Sequence, residues 1–184
     1  MRDEVTMSGL GGQGVLLAGQ LLAQAACDAG LLVSWFPSYS PEVRGGWTNC
    51  TVVMSDDRAG SPVSGRPKAM VLMEPGAIRA HSDAVADGGV LIVNTSLGEV
   101  EIERKDARVV RVAATDEAIA VGSEKVANMV ALGAYLQTCR PDMLQPVITA
   151  LRKILPERHH KLLPMNEQAI RTGAEAAQRA LAEA

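Results

Sequence analysis

Gly9-Leu10-Gly11-Gly12-Gln13-Gly14 lies between a short apolar run, Val5 to Met7, and a long one that begins at Val15. That order predicts a strand, a tight turn and a helix starting near Gln13. Glycines suit such a turn because they reach backbone angles closed to other residues and let a ligand approach the main chain. The helix would aim its unpaired N–H groups and the positive end of its dipole at whatever sits above the turn, which favours a phosphate or another anion. Gly9, Gly11 and Gly14 also satisfy G-x-G-x-x-G, and a dinucleotide fold would add an acid about 20 positions on, at the end of the second strand. The second strand reads Leu31 to Phe36 and runs into Pro37-Ser38-Tyr39, with no acid in that place. From the residues alone the turn is an anion cradle, or a turn that only packs helix against strand.

The 184 residues are the size of one domain. Hydrophobic residues make up 47% and aromatics only 3%, so the core must be built from Val, Leu, Ile, Ala and Met. A net charge of −3, without blocks of like charge, advertises no face for nucleic acid or an anionic membrane. Cys27, Cys50 and Cys139 are odd in number and far apart, which suggests neither a disulfide framework nor a metal or iron–sulfur site. No signal pattern opens the chain and no apolar run approaches the roughly 18 residues of a membrane span. The expectation is a cytoplasmic protein.

Along the chain, Leu17, Leu21 and Ala25 repeat at helical spacing within Val15 to Ala29, and Gly30 closes the helix. The near-continuous apolarity of Leu31 to Phe36 predicts a parallel strand covered on both faces, completing a βαβ unit. Pro37 to Gly46 reads as an irregular loop that brings Tyr39, Glu42 and Arg44 together. Strands follow at Thr48–Ser55, Ala69–Met73, Val90–Val93 and Arg108–Val112, with a helix from Glu74-Pro75-Gly76 to Val85. From Asp116 the pattern is helical, near 117–121, 124–138, 142–154 and 167–182, with breaks at Pro141, Pro156 and Pro164. The fold class expected is α/β: a single three-layer domain over residues 1–184, with a mostly parallel, Rossmann-like sheet and a helical C-terminal part.

Several of these stretches, in order, resemble the gamma subunit of the 2-oxoacid:ferredoxin oxidoreductases, over nearly the whole chain. Gly9 through Val15 looks like the family's opening glycine loop. Pro37-Ser38-Tyr39 through Glu42, Arg44, Gly45 and Gly46 looks like its second signature, with Ser40 where the family suggests glycine and an unusual Trp47. Thr48 to Asp56 resembles the 2-oxoglutarate members, and Lys125 to Gly133 with Asn166 to Gly173 resembles the family's helical end.

The resemblance implies a subunit of an enzyme that decarboxylates a 2-oxoacid, 2-oxoglutarate by this likeness, oxidatively to an acyl-coenzyme A, or runs the reverse. It implies thiamine diphosphate, Mg and iron–sulfur clusters on partner alpha and beta subunits, with a delta subunit or ferredoxin receiving electrons. This chain lacks a thiamine-diphosphate motif and four clustered cysteines, so the isolated chain is expected to be inactive. Coenzyme A is the natural ligand for the glycine turn. Gly11, Gly12, Gln13 and Gly14 would hold phosphate through backbone N–H groups, with the Gln13 side chain as a further donor. Arg44 would either clamp a phosphate or pair with Glu42 or the alpha subunit. Asn128 reads as a buried residue closing a loop, and His159-His160 as surface. The alternatives are a purely structural assembly subunit and a stand-alone nucleotide-binding oxidoreductase in which Arg44 reads a 2′-phosphate.

Overall fold

The computed structural model describes residues 2–39, 46–57 and 65–183. Its strands are β1 (Arg2–Leu10), β2 (Leu32–Tyr39), β3 (Trp47–Ser55), β4 (Ala69–Leu72), β5 (Val90–Asn94) and β6 (Arg108–Val112). Its helices are α1 (Val15–Asp28), α2 (Pro75–His81), α3 (Ala114–Val121), α4 (Ala127–Cys139), α5 (Leu144–Ile154) and α6 (Leu163–Ala182). The strands form one sheet in the order β2-β3-β1-β4-β5-β6. β1, β4, β5 and β6 run parallel to their neighbours in that series, whereas β3 is antiparallel to both β1 and β2. The mostly parallel α/β sheet expected from the sequence is therefore present.

Alternation along β1 sorts the two faces of the sheet. Val5 and Met7 point into the main core with Val52 and Met54 of β3, Val71 of β4, and Leu21, Leu22 and Ala25 of α1. Each fully buried Leu there contributes about 1.5–3 kcal/mol. α4 crosses this face and is buried from Ala127 to Leu136 on all sides, as a central helix must be. α6 lies so close to it that a side chain at Gly133 would strike the Ile170 carbonyl, and one at Gly173 the Val130 carbonyl. The opposite face is thinner. There α2 covers Met70, Leu72, Leu91 and Val93 with Ala77 and Ile78, but Glu4, Thr6 and Ser8 of β1 lie beyond that apolar patch.

Five local expectations need correction. β2 is an edge strand, not a parallel strand covered on both faces: β3 folds back from it as a hairpin partner and inserts between β2 and β1. Continuous apolarity does not distinguish a buried strand from an exposed edge, and here Leu32, Trp35 and Phe36 remain 46%, 37% and 45% exposed. β2 also continues through Pro37, Ser38 and Tyr39, because an edge strand tolerates a missing N–H. Pro164 does not break the last helix, since it occupies the first turn, where no intrahelical N–H is required. The helix after β4 ends at His81 in a 3-10 turn, and α1 starts at Val15 rather than Gln13.

Candidate functional site

The glycine turn sits at the carboxyl end of β1, between the loops that lead to the two sides of the sheet. Ligands of open α/β sheets gather at such a reversal. Leu10 to Gln13 form a β-turn closed by Gln13 N–H donating to the Leu10 carbonyl at 3.1 Å, and Gly12 takes φ +101° at its third position. Gln13 folds back so that its Oε1 accepts from Leu10 N–H at 2.7 Å. Gly11 N–H donates to the Gly46 carbonyl at 3.0 Å, tying the turn to the start of β3. Gly14 then enters α1 with φ +73°, in van der Waals contact with Asn128: a side chain there would overlap the Asn128 amide, whose Nδ2 donates to the Gly14 carbonyl at 2.9 Å. Asn128 is 4% exposed, as expected of a residue closing a loop, and its Oδ1 has no partner.

Four helical starts lie at this end of the sheet, and three are capped by the chain's own side chains. Glu74 Oε1 accepts from Ala77 N–H at the start of α2. Ser96 Oγ accepts from Thr115 and Asp116 N–H at the start of α3. Ser123 Oγ accepts from Lys125 N–H in the 3-10 turn before α4. α1 has no side-chain cap, and its first intrahelical bond is made by Ala18 N–H onto Gly14, leaving the N–H groups of Val15, Leu16 and Leu17 without one. Before the turn opens a cleft of about 240 Å³ lined by Gly12, Gln13, Met73, Leu97, Thr115 and Lys125, with Glu124 and Ala127 beside them. Asn94 fixes its floor, donating to the Met73 carbonyl and Thr115 Oγ1, both at 3.0 Å. Among the described residues Lys125 has no ion-pair partner. A Cβ placed on Gly12 would meet nothing within 4 Å, so the backbone there is open to a ligand.

The sequence residues nominated for phosphate therefore divide. The N–H groups of Gly11 and Gln13 are engaged within the protein, whereas those of Gly12 and Gly14 make no such bond. Gln13 keeps only its amide NH2 for a ligand. Arg44 and Glu42 lie outside the described residues. Lys125 was not nominated from the sequence: it stands on a different helix, and no spacing rule connects it to the turn.

A larger cavity, about 390 Å³, opens at the amino end of the strands among Asp3, Glu4, Lys68, Gly88, Tyr135 and Arg140. Its cations are engaged. Arg140 is 7% exposed and donates to Asp3 at 2.9 Å and to Asp142 at 2.7 and 3.0 Å. The guanidinium holds the Asp142 carboxyl below the usual carboxylate range. Lys68 donates to the Arg2 carbonyl and pairs with Asp3. Two of the cysteines are committed to packing: burial pushes the Cys50 thiol up to about 12 and the Cys139 thiol to about 11, while Cys27 is exposed on α1. Among the described residues no helix is long and apolar enough to cross a membrane.

Residues 4–176 match the family model described as Pyruvate ferredoxin/flavodoxin oxidoreductase. The chain is 34% identical over 171 residues to the ketoisovalerate oxidoreductase subunit VorA of Methanothermobacter thermautotrophicus, covering 93% of this chain and 35% of that one. It is 38% identical over 163 residues to the 2-oxoglutarate synthase subunit KorC of the same organism, covering 85% of this chain and 86% of KorC. The chain thus spans about a third of the length of the ketoisovalerate subunits it matches, but most of KorC. Among solved structures, the keto/oxoacid ferredoxin oxidoreductase gamma subunit of Geobacter sulfurreducens superposes with a TM-score of 0.81 at 30% identity, over 96% of this chain and 99% of that one. A 2-oxoglutarate:ferredoxin oxidoreductase of Magnetococcus marinus, with 2-oxoglutarate, coenzyme A and succinyl-CoA bound, shares the fold with a TM-score of 0.84 at 21% identity, over 97% of this chain and 31% of that one.

Proposed function

The chain belongs to the pyruvate ferredoxin/flavodoxin oxidoreductase family and corresponds to its gamma subunit, and on that premise we propose that its glycine turn receives phosphate groups of coenzyme A in a multi-subunit 2-oxoacid:ferredoxin oxidoreductase. The observation that carries this is the one helical start at the carboxyl edge without a side-chain cap, that of α1, opening on a cleft with an unpaired lysine. Unpaired N–H groups of Gly12, Gly14 and the first turn of α1 favour an anion through hydrogen bonds and the helix dipole. Lys125 adds a full positive charge at the same cleft. Coenzyme A offers a pyrophosphate and a 3′-phosphate. Thiamine diphosphate, Mg and the iron–sulfur clusters would supply the decarboxylation and electron transfer from alpha and beta subunits, with a delta subunit or ferredoxin as acceptor. On this reading the isolated chain has no 2-oxoacid oxidoreductase activity, and activity in the pure single chain would refute it.

Relatives of the chain are named for ketoisovalerate, 2-oxoglutarate and pyruvate. A panel of 2-oxoacids, with 2-oxoglutarate first, identifies the substrate of the assembled enzyme. A stand-alone dinucleotide enzyme is disfavoured by topology as well as by the missing acid. In dinucleotide folds the second strand lies directly beside the first, but here β3 separates β2 from β1.

Gly12→Val tests the turn. The new side chain would enter the open space above Gly12 and strain a φ of +101°. Losing one or two charge-assisted hydrogen bonds of roughly 1.5–3 kcal/mol each weakens binding by an order of magnitude or more. The assembled enzyme should show a raised KM for coenzyme A with formation of the thiamine adduct nearly unchanged. A variant that assembles with its thermal midpoint intact and a wild-type coenzyme A dependence leaves the turn structural and favours the assembly-subunit alternative.

A further inference from the structure

Aromatic residues are scarce in this chain, and four of the five, Trp35, Phe36, Tyr39 and Trp47, fall within thirteen consecutive positions on the β2–β3 hairpin; only Tyr135 is elsewhere. Among the described residues six large hydrophobics are exposed, and Leu32, Trp35, Phe36 and Trp47 of the hairpin are four of them. In a chain with 21% charged residues, β2 and β3 carry no Asp, Glu, Lys or Arg. Soluble edge strands are ordinarily guarded by charge, and β2 has none. Loss of charge with enrichment in exposed aromatics is the composition of the centre of a protein interface.

The two tryptophans are also held in place. Trp35 packs its indole over Gly19 of α1, on the thick face of the sheet. Trp47 lies against Gly76 and meets the His81 ring edge-on, with centroids 5.9 Å apart. Rigid aromatics lose little conformational freedom when covered, which suits them as anchors. A groove flanks the edge on each face. One, of about 200 Å³, runs beside Trp35 and Val33 to Ala23 and Ile154. The other, of about 230 Å³, runs beside Phe36 and Ser38 to Thr51 and His81. Pro37 removes one N–H from β2, so side chains seated in these grooves, rather than a long added strand, suit the surface.

We propose that this uncharged hairpin edge is the docking surface for a separate subunit that corresponds to the remaining two thirds of the longer relatives. In VorA the matched unit is 35% of one polypeptide, so the rest is tethered to it covalently. KorC is matched over 86% of its own length and so has no room for that portion, and on the subunit reading above the portion joins this chain in the same untethered way. An apolar, uncharged edge is the kind of surface that needs a permanent partner. The inference rests on the subunit reading above.

The test co-produces the tagged chain with that subunit. Trp35→Glu and Phe36→Lys place charge on opposite faces of the edge, and Ile119→Glu alters another exposed hydrophobic, on α3, away from the hairpin. Wild type and the Ile119 variant should co-elute with the subunit at equal stoichiometry, while each hairpin variant binds it at least tenfold more weakly and keeps its thermal midpoint alone. Hydrogen exchange on the wild type provides a second readout should a variant misfold: amides of Leu32–Tyr39 should exchange at least tenfold more slowly in the complex. A wild-type complex indifferent to both hairpin variants, or without that added protection, overturns the surface alone. A wild-type chain that self-associates through the hairpin and still binds the subunit after both substitutions also overturns it. Absence of any wild-type complex overturns the subunit reading and the surface with it.

Discussion

The two ends of the sheet differ in a way that cavity size conceals. The amino end has the larger space, about 390 Å³, and holds Arg140 and Lys68, yet both cations are committed to Asp3, Asp142 and the Arg2 carbonyl. Its single orphan is an acceptor, Glu4 Oε1. The carboxyl end has the smaller cleft, about 240 Å³, but there the donors are unpaired: two glycine N–H groups, the first turn of α1 and the Lys125 ammonium. Paired charges stabilise a fold and leave little for a ligand, whereas unpaired donors beside open space stay available to water or to an anion that displaces it. On the proposed reading, unsatisfied hydrogen-bonding capacity marks the candidate site better than volume does.

The largest effect expected is at Gly14, where turn and helix meet. Gly14→Ala imposes an L side chain on φ +73°, costing roughly 1–2 kcal/mol. It also displaces the Asn128 amide from a nearly closed environment, for roughly 1–3 kcal/mol more. A chain of this size should then unfold about 5–15 °C lower, and thermal scanning measures it. An unchanged midpoint would mean that the turn adapts and that its geometry is not what organises the carboxyl end.

Arg140→Gln is the counterpart at the amino end. It should cost about 1.5–3 kcal/mol through lost charged hydrogen bonds and leave the KM for coenzyme A unaltered. It should also change the acid limb of stability. Asp142 is held below its ordinary value by Arg140, so its contribution is present above the unfolded carboxylate pKa of about 3.9 and is lost as pH falls through the lower folded value. The variant should lose less stability than wild type below pH 4, by a modest margin because Asp142 is largely solvated. A coenzyme A defect in this variant would undo the division between the two ends.

The sequence carried the fold through periodicity and punctuation. Val15 onward is helical because Leu21, Leu22 and Ala25 share one face, and the short apolar strands after residue 69 are buried where expected. For β2 the sequence misleads, because an exposed edge strand and a buried strand can have the same apolar run, and only the return of β3 separates them. At the site, Gly12 and Gly14 were legible as turn residues. The engagement of Gly11 with Gly46 was not, nor was that of Gln13 with its own turn, since both depend on how the chain closes on itself. Asn128 contacts Gly14 across 114 positions, and Lys125 comes with it on the same stretch of chain, beyond any local spacing rule.

The smallest effect expected, and the sharpest test of the contrast, is at the lysines. Lys125 is exposed at the rim of the carboxyl cleft, with Glu124 beside it, so its attraction for a phosphate acts through solvent. At a water-like dielectric and a separation of about 4 Å, a single charge is worth about 1 kcal/mol, and salt screens it over a Debye length of about 8–10 Å. Lys125→Gln should therefore raise the KM for coenzyme A by roughly three- to tenfold at low ionic strength. The difference from wild type should shrink as salt rises, because the charge that salt would screen has been removed. Lys68→Gln changes the same kind of charge at the opposite end, where the ammonium already serves Arg2 and Asp3, and should leave the coenzyme A dependence and its salt sensitivity as they are. If the two substitutions behave alike, coenzyme A responds to net charge rather than to the cleft, and the assignment of the carboxyl end as the anion site fails.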